Sequence, residues 1–214
     1  MPPKRQVYLL DEQELSAETI AVTFAKTSRS PQTFQEIAAE LTDAKSAQFH
    51  EKWVVGYGHA SVAEHAVLHL ALEGISRLST EVIQSSRLAS FTEKSTRYQI
   101  WGKKDYCLPP EIIGSAYQRV FSQAVENLFS TYLKIIPKVI EWNRTTNKKE
   151  SNEPDLQYEQ RIKVMAVDAC RFLLPAASSA NVGMTINARE LEHLICKLLS
   201  HPLMEVRQIG EEIR

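Results

Sequence analysis

The chain has 214 residues and a formal net charge of -1, so it carries no global basic field to attract nucleic acid. Any phosphate-bearing ligand must then be held by a local cluster of cations. A composition of 43% hydrophobic and 24% charged residues suits a soluble globular protein with a sizeable core, read here as a single domain over residues 1–214.

Val7 to Leu10 is a short apolar run before Asp11 and reads as a first strand. The N-terminal M-P-P-K-R-Q lacks the apolar run of a signal peptide, and no stretch is long and apolar enough for a membrane span. A helix is expected over about Ala17 to Ser28, with Ile20, Phe24 and Ala25 at helical spacing. A second is expected from Pro31 to about Leu41 with Ser30 as cap, and a third from Ala44 to Val55, capped by Asp43 and ended by Gly56 and Gly58.

The next segment is G-H-A-S-V-A-E-H, from Gly58 to His65. Ser61 followed by Glu64 is a capping box, and the free N–H groups of such a helix start suit an anion. His59, His65 and His69 also invite a metal reading. Val67 to Leu72 alternates like a strand, however, which takes His69 off any helical face, so hydrogen-bonded histidines beside a capped helix are expected and no metal site. Gly74 is expected to end the strand, and Ser76 or Ser79 to cap a helix through Ser86.

Arg87 to Tyr98, R-L-A-S-F-T-E-K-S-T-R-Y, is the most polar stretch between apolar segments. Its arginines offer planar forks for phosphate oxygens, and its hydroxyls and backbone N–H groups suit an anion cradle. The same residues also suit a solvated loop laced with ion pairs. Residues 92–99 are expected to be extended, and 101–110 to form a loop.

Glu111 to Trp142 carries the longest helical signal, with Ile112, Ala116, Val120, Ala124, Leu128, Tyr132 and Ile136 following the repeat and Pro137 placed to kink or break it. A polar connector over residues 143–154 precedes a helix from Asp155 to Leu174. A strand over Asn181 to Ile186, an amphipathic helix over Asn187 to Leu199 and a last helix after Pro202 complete the chain. Cys107, Cys170 and Cys196 are far apart and odd in number, which points to a reducing, cytoplasmic setting rather than a disulfide framework. There is no C-x-x-C, GxGxxG or P-loop, so a zinc ribbon and the familiar nucleotide loops are excluded.

Three segments in order, His59 to His65, Arg87 to Tyr98 and Arg171 to His193, resemble the flavin-dependent thymidylate synthase family. The family's pattern of R-H-R, A-S and N-E-x-S-x-R-Y is matched at Arg87, Ala89, Ser90, Glu93, Ser95, Arg97 and Tyr98. Its R-x-x-L-P pattern is met by R-F-L-L-P at Arg171–Pro175, and N-A-R-x-L-x-H is met at Asn187–His193. The resemblance implies an α/β (α+β) fold with a curved, mostly antiparallel sheet flanked by helices, assembled as a homotetramer with sites shared between subunits. It implies FAD, reduced by NADPH, moving a one-carbon unit from methylenetetrahydrofolate to dUMP, with no protein nucleophile. By resemblance, His59, Ser61, Glu64, Arg87, Glu93, Asn187, Arg189 and His193 contact FAD. Glu93, Ser95, Thr96, Arg97 and Arg171 contact the nucleotide, with residues 95–97 cradling its phosphate. Arg171 and Arg189 equally suit surface ion pairs.

The chain departs from the pattern at charged positions. Ser85 and Ser86 replace the first two residues of R-H-R, Thr92 the asparagine, Thr96 the glycine, and Leu198 lies near an arginine that promotes uracil ionisation in the family. A serine supplies neither a fixed charge nor a guanidinium fork.

Overall fold

A computed structural model describes residues 8, 10, 15–27, 30–41, 46, 48 and 60–214. Half of the expected first strand, most of the third helix and His59 lie outside these residues; Tyr8 and Leu10, which are described, are not in a strand. Helices α1 (Ala17–Thr27) and α2 (Phe34–Glu40) lead to a 3-10 turn at Ala60–His65 and strand β1 (Val67–Ser76). Then come α3 (Arg77–Ile83), β2 (Ala89–Glu93), α4 (Tyr117–Thr146), α5 (Asp155–Cys170), β3 (Ser179–Asn187), α6 (Ala188–Leu199) and α7 (Met204–Ile213). The strands form a small antiparallel sheet in the order β1-β3-β2. Strict alternation places Ala180, Val182, Met184 and Ile186 of the central strand on its buried face.

The contacts divide the chain into two compact units. The first takes residues up to 70 together with 86–90 and 185–196; the second takes 71–85, 91–184 and 197–214. Within the first unit, α2 begins three residues later than Pro31. Thr33 is the cap, its side chain accepting from Glu36 N–H while Glu36 accepts from Thr33 N–H, a full capping box. Ser30 instead accepts from the Gln32 N–H, 3.2 Å away. The aromatic ring of Phe24 on α1 meets Phe34 edge-on at 5.5 Å and His65 at 5.0 Å. The 60–65 segment is a 3-10 turn rather than the expected helix.

Within the second unit, α4 packs on α5 through Trp101, Val125, Phe129, Tyr132, Ile136 and Cys170. Here the expected apolar row fails at its start: Val120 and Leu128 are 67% and 40% exposed. A row stepping by four advances about 40° per step around a helix, so its N-terminal members slide off the buried stripe. The stripe that is buried steps by four, three and four. Pro137 does not break the helix, which runs on to Thr146. The buried Tyr132, Ile136 and Asn143 on either side anchor it, Asn143 donating to Ile162 O at 3.4 Å. Burial raises the pKa of the Tyr132 phenol and of the Cys170 thiol.

Strand β1 continues past Gly74, contrary to the expected stop. Gly74 has φ 66, a left-handed value that glycine adopts without penalty, and its N–H donates to Asn181 Oδ1 at 3.1 Å. Ser76 then caps α3 by accepting the Ser79 N–H at 3.1 Å. The Glu205 carboxylate of α7 accepts from the Ser76 N–H at 2.7 Å and from its hydroxyl at 2.6 Å. The neighbouring Cys107 thiol is pushed up to about 11 by burial and by Glu205.

Two outcomes follow from how α7 is held. A Cβ on Gly210 would stand 2.9 Å from Leu198 Cβ and 3.3 Å from Leu199 N, so Gly210→Ala should force the helices apart and destabilise by about 1–3 kcal/mol in urea unfolding. Glu111 accepts the first N–H of α7, from Met204 at 2.6 Å, and that bond holds its carboxyl below the usual carboxylate range. A lowered folded pKa stabilises above the ordinary carboxylate pKa and is lost as pH falls through the lowered value. Glu111→Gln should therefore lower Tm modestly at neutral pH, with the difference from wild type disappearing in acid.

Candidate functional site

In the first unit a cleft of about 750 Å³ is lined by Glu64, Leu88, Asn187, Arg189, Glu190, Glu192, His193 and Cys196, within the usual size of small-molecule sites. Four of the expected cofactor residues, Glu64, Asn187, Arg189 and His193, thus share one wall. Their positions follow from two elements. The Ala188 N–H donates to Ala66 O at 2.8 Å, tying the start of α6 to the residue after the 3-10 turn. Asn187 Oδ1 accepts the Glu190 N–H at 2.9 Å and caps α6, which leaves its amide NH2 for other partners. Arg189 and His193 then lie one helical turn apart, and the Arg189 guanidinium pairs with the Glu64 carboxylate, both side chains about half exposed.

The charge of this lining is uneven. One arginine stands against three glutamates in this lining, so its balance is acidic. The arrangement suits hydrogen bonding to a base and ribose. Among the described residues Arg189 is the one fixed cation of this lining, where a pyrophosphate calls for more.

Ser61 is exposed within the 3-10 turn, and Glu64 pairs with Arg189. Arg87 is exposed in the bend before β2, with no hydrogen-bond or ion-pair partner among the described residues. His69 Nδ1 lies 2.9 Å from Thr185 Oγ1 on the neighbouring strand. Among the described residues no group of three metal-ligating side chains converges.

In the second unit, β2 ends at Glu93, and the expected extended segment turns instead. Lys94 N–H still donates to Asn181 O at 2.9 Å, but Ser95 O accepts from the N–H groups of Tyr98 and Gln99. Ser95 Oγ accepts the Arg97 N–H at 3.3 Å, closing a local turn with Thr96 inside it. No non-glycine residue among those described has a positive φ, so Thr96 occupies its position without backbone strain. Glu93 Oε2 accepts from Gln84 Nε2 at 2.7 Å, and Glu93 Oε1 lies 3.5 Å from Arg77 Nε.

Arg97 and Arg171 both reach one carboxylate oxygen. Arg97 Nε donates to Asp168 Oδ1 at 3.1 Å, and Arg171 Nε lies 3.1 Å from the same atom without hydrogen-bond alignment. Asp168 carries no sequence motif, although its place three residues before Arg171 is visible in the sequence. The contact of Lys197 with Ser85 is the other feature that no motif carried. The Lys197 ammonium donates to Ser85 Oγ, the position that lost an arginine, while Ser85 donates to Val82 O at 2.5 Å. Leu198 is fully buried, so the next residue on the helix, Lys197, is the one presented outward.

The description "Thymidylate synthase complementing protein" belongs to the family model matching residues 9–214. A UPF0159 protein of Chlamydia pneumoniae is 34% identical over 174 residues, covering 78% of this chain and 33% of its own. A UPF0159 protein of Thermoplasma acidophilum is 26% identical, covering 81% of this chain and 40% of its own. A flavin-dependent thymidylate synthase of Clostridium tetani is 30% identical over 201 residues, 92% of this chain and 76% of its own. The chain spans about a third of the length of the chlamydial proteins it matches. With one family model running from residue 9 to residue 214 across all three motif segments, the chain belongs to the thymidylate synthase complementing protein family, that of the flavin-dependent thymidylate synthases and their relatives.

Proposed function

We propose that this chain is a divergent domain of the flavin-dependent thymidylate synthase fold that binds FAD and dUMP and serves the reductive methylation of dUMP to dTMP. The observation that carries the reading is the cleft in which Glu64, Asn187, Arg189 and His193 converge. When bound, FAD supplies the redox and one-carbon chemistry, with NADPH as reductant and methylenetetrahydrofolate as donor. The protein's part is to bind and orient. Asn187 and His193 offer hydrogen bonds to the adenine end, and Arg189 a fork to the phosphates, with His59, Ser61 and Arg87 as further contacts. Arg97 and Arg171, with the turn at Ser95 and Thr96, take the dUMP phosphate, and Glu93 meets the nucleotide. A homotetramer with shared sites in a cytoplasmic setting completes the proposal, a partner subunit bringing further cations to this acidic cleft.

A second reading has its own observation. Ser85, Ser86 and Leu198 remove charges that the family pattern uses to hold flavin and polarise uracil, and Lys197 restores only one, at Ser85. On that reading the chain binds nucleotide weakly or acts as a structural partner of an active domain.

Tritium release from 5-tritiated dUMP, with FAD, NADPH and methylenetetrahydrofolate, separates the two. Our proposal expects FAD-dependent release whose specific rate rises with protein concentration, because assembly completes the site. No release at any concentration would favour the second reading. Arg189→Ala should weaken FAD binding by roughly ten- to a hundredfold, the worth of one charged hydrogen-bonding group at about 1.5–3 kcal/mol.

A further inference from the structure

The geometry points to Asp168 as the positioning residue of the phosphate site, a carboxylate that clamps two arginines by their inner edges so that their outer forks face one anion. The inference deepens the proposed function and rests on its reading of Arg97 and Arg171 as the phosphate contacts.

Asp168 Oδ1 lies 3.1 Å from Arg97 Nε and 3.1 Å from Arg171 Nε. The two arginines come from different elements, one from the turn after β2 and one from the 3-10 turn Arg171–Leu173 at the end of α5. Both use Nε, so neither spends its terminal nitrogens on Asp168. Among the described residues, no hydrogen bond engages the terminal nitrogens of either side chain. The Arg171 guanidinium is further fixed over the Phe172 ring at 5.3 Å. Arg171 Nε itself is shielded from solvent and has no aligned hydrogen bond, so Asp168 holds it by charge contact rather than by a directed bond.

Stability does not explain this arrangement. The Arg97, Arg171 and Asp168 side chains are 55%, 37% and 35% exposed, and exposed ion pairs contribute little. What one carboxylate between two guanidiniums does provide is pre-organisation. It offsets the mutual repulsion of the cations and restricts two rotamer-rich side chains before any ligand arrives. The trio keeps one net positive charge and two unspent forks, a match for a phosphate monoester. Asp168 touches the arginines rather than the ligand, so its influence is confined to ligands that carry the phosphate.

The test compares full-length wild type, Asp168→Asn and Asp168→Glu by calorimetric titration with dUMP and with deoxyuridine, alongside arginine Nε–H spectra. Wild type should prefer dUMP. Asp168→Asn should weaken dUMP by about tenfold, the scale of leaving a long side chain unordered, while deoxyuridine binding stays unchanged. It should also shift the Nε–H signals of both Arg97 and Arg171, and Asp168→Glu should recover part of the loss. Equal or tighter dUMP binding by Asp168→Asn would overturn the inference and make the carboxylate a competitor of the phosphate. A shift of only one Nε–H signal would also overturn it, because the clamp would not be shared. Wild type that binds dUMP no better than deoxyuridine would instead overturn the phosphate reading itself, and the clamp's role with it.

Discussion

The pairing of arginines with carboxylates inside each unit is the constraint on which both candidate site regions depend. Arg189 is held by Glu64, Arg97 and Arg171 by Asp168, and Arg77 by Glu93 and Glu81. These pairs are too exposed to contribute much to stability. Their effect is on geometry: a paired guanidinium points one way, and an incoming anion either uses its free edge or displaces the carboxylate. At Asp168 the inner edges are occupied and the forks are spare. At Glu64 the pair sits in the wall of an acidic cleft, so an anion there competes with a resident carboxylate.

That difference gives the two regions different demands. The Arg97–Arg171 region carries its own net positive charge. The described lining of the cleft near Arg189 is negative overall. In the second unit, Lys197 meets Ser85, where the family pattern carries an arginine. Lysine brings a point charge on a flexible stem in place of a planar fork, so it restores attraction but not bidentate alignment.

Much of this was legible in the sequence. The N-A-R-E-L-E-H heptapeptide gave the spacing that puts Arg189 and His193 on one face of a helix, and Asn187 at its start. The helix expected to run to Leu174 ends at Cys170, and Arg171–Leu173 forms a 3-10 turn before Pro175. What was not legible depended on contacts between distant residues. Strand β1 continues through Gly74 because the side chain of Asn181 takes its N–H, a partner 107 residues away. Lys197 reaches Ser85 across 112 residues. Glu64 looked like half of a capping box with Ser61, and it pairs with Arg189, 125 residues distant. The buried stripe of α4 was misread because a four-residue step drifts around a 3.6-residue helix.

The central claim is that the cleft walled by Glu64, Asn187, Arg189 and His193 receives the adenine end of FAD. A crystal structure of the full chain soaked with FAD tests it most directly. The account predicts adenine density against Asn187 and His193 with the Arg189 fork turned from Glu64 towards a phosphate. Density at another place on the molecule, or an Arg189–Glu64 pair unchanged in protein saturated with FAD, would contradict it.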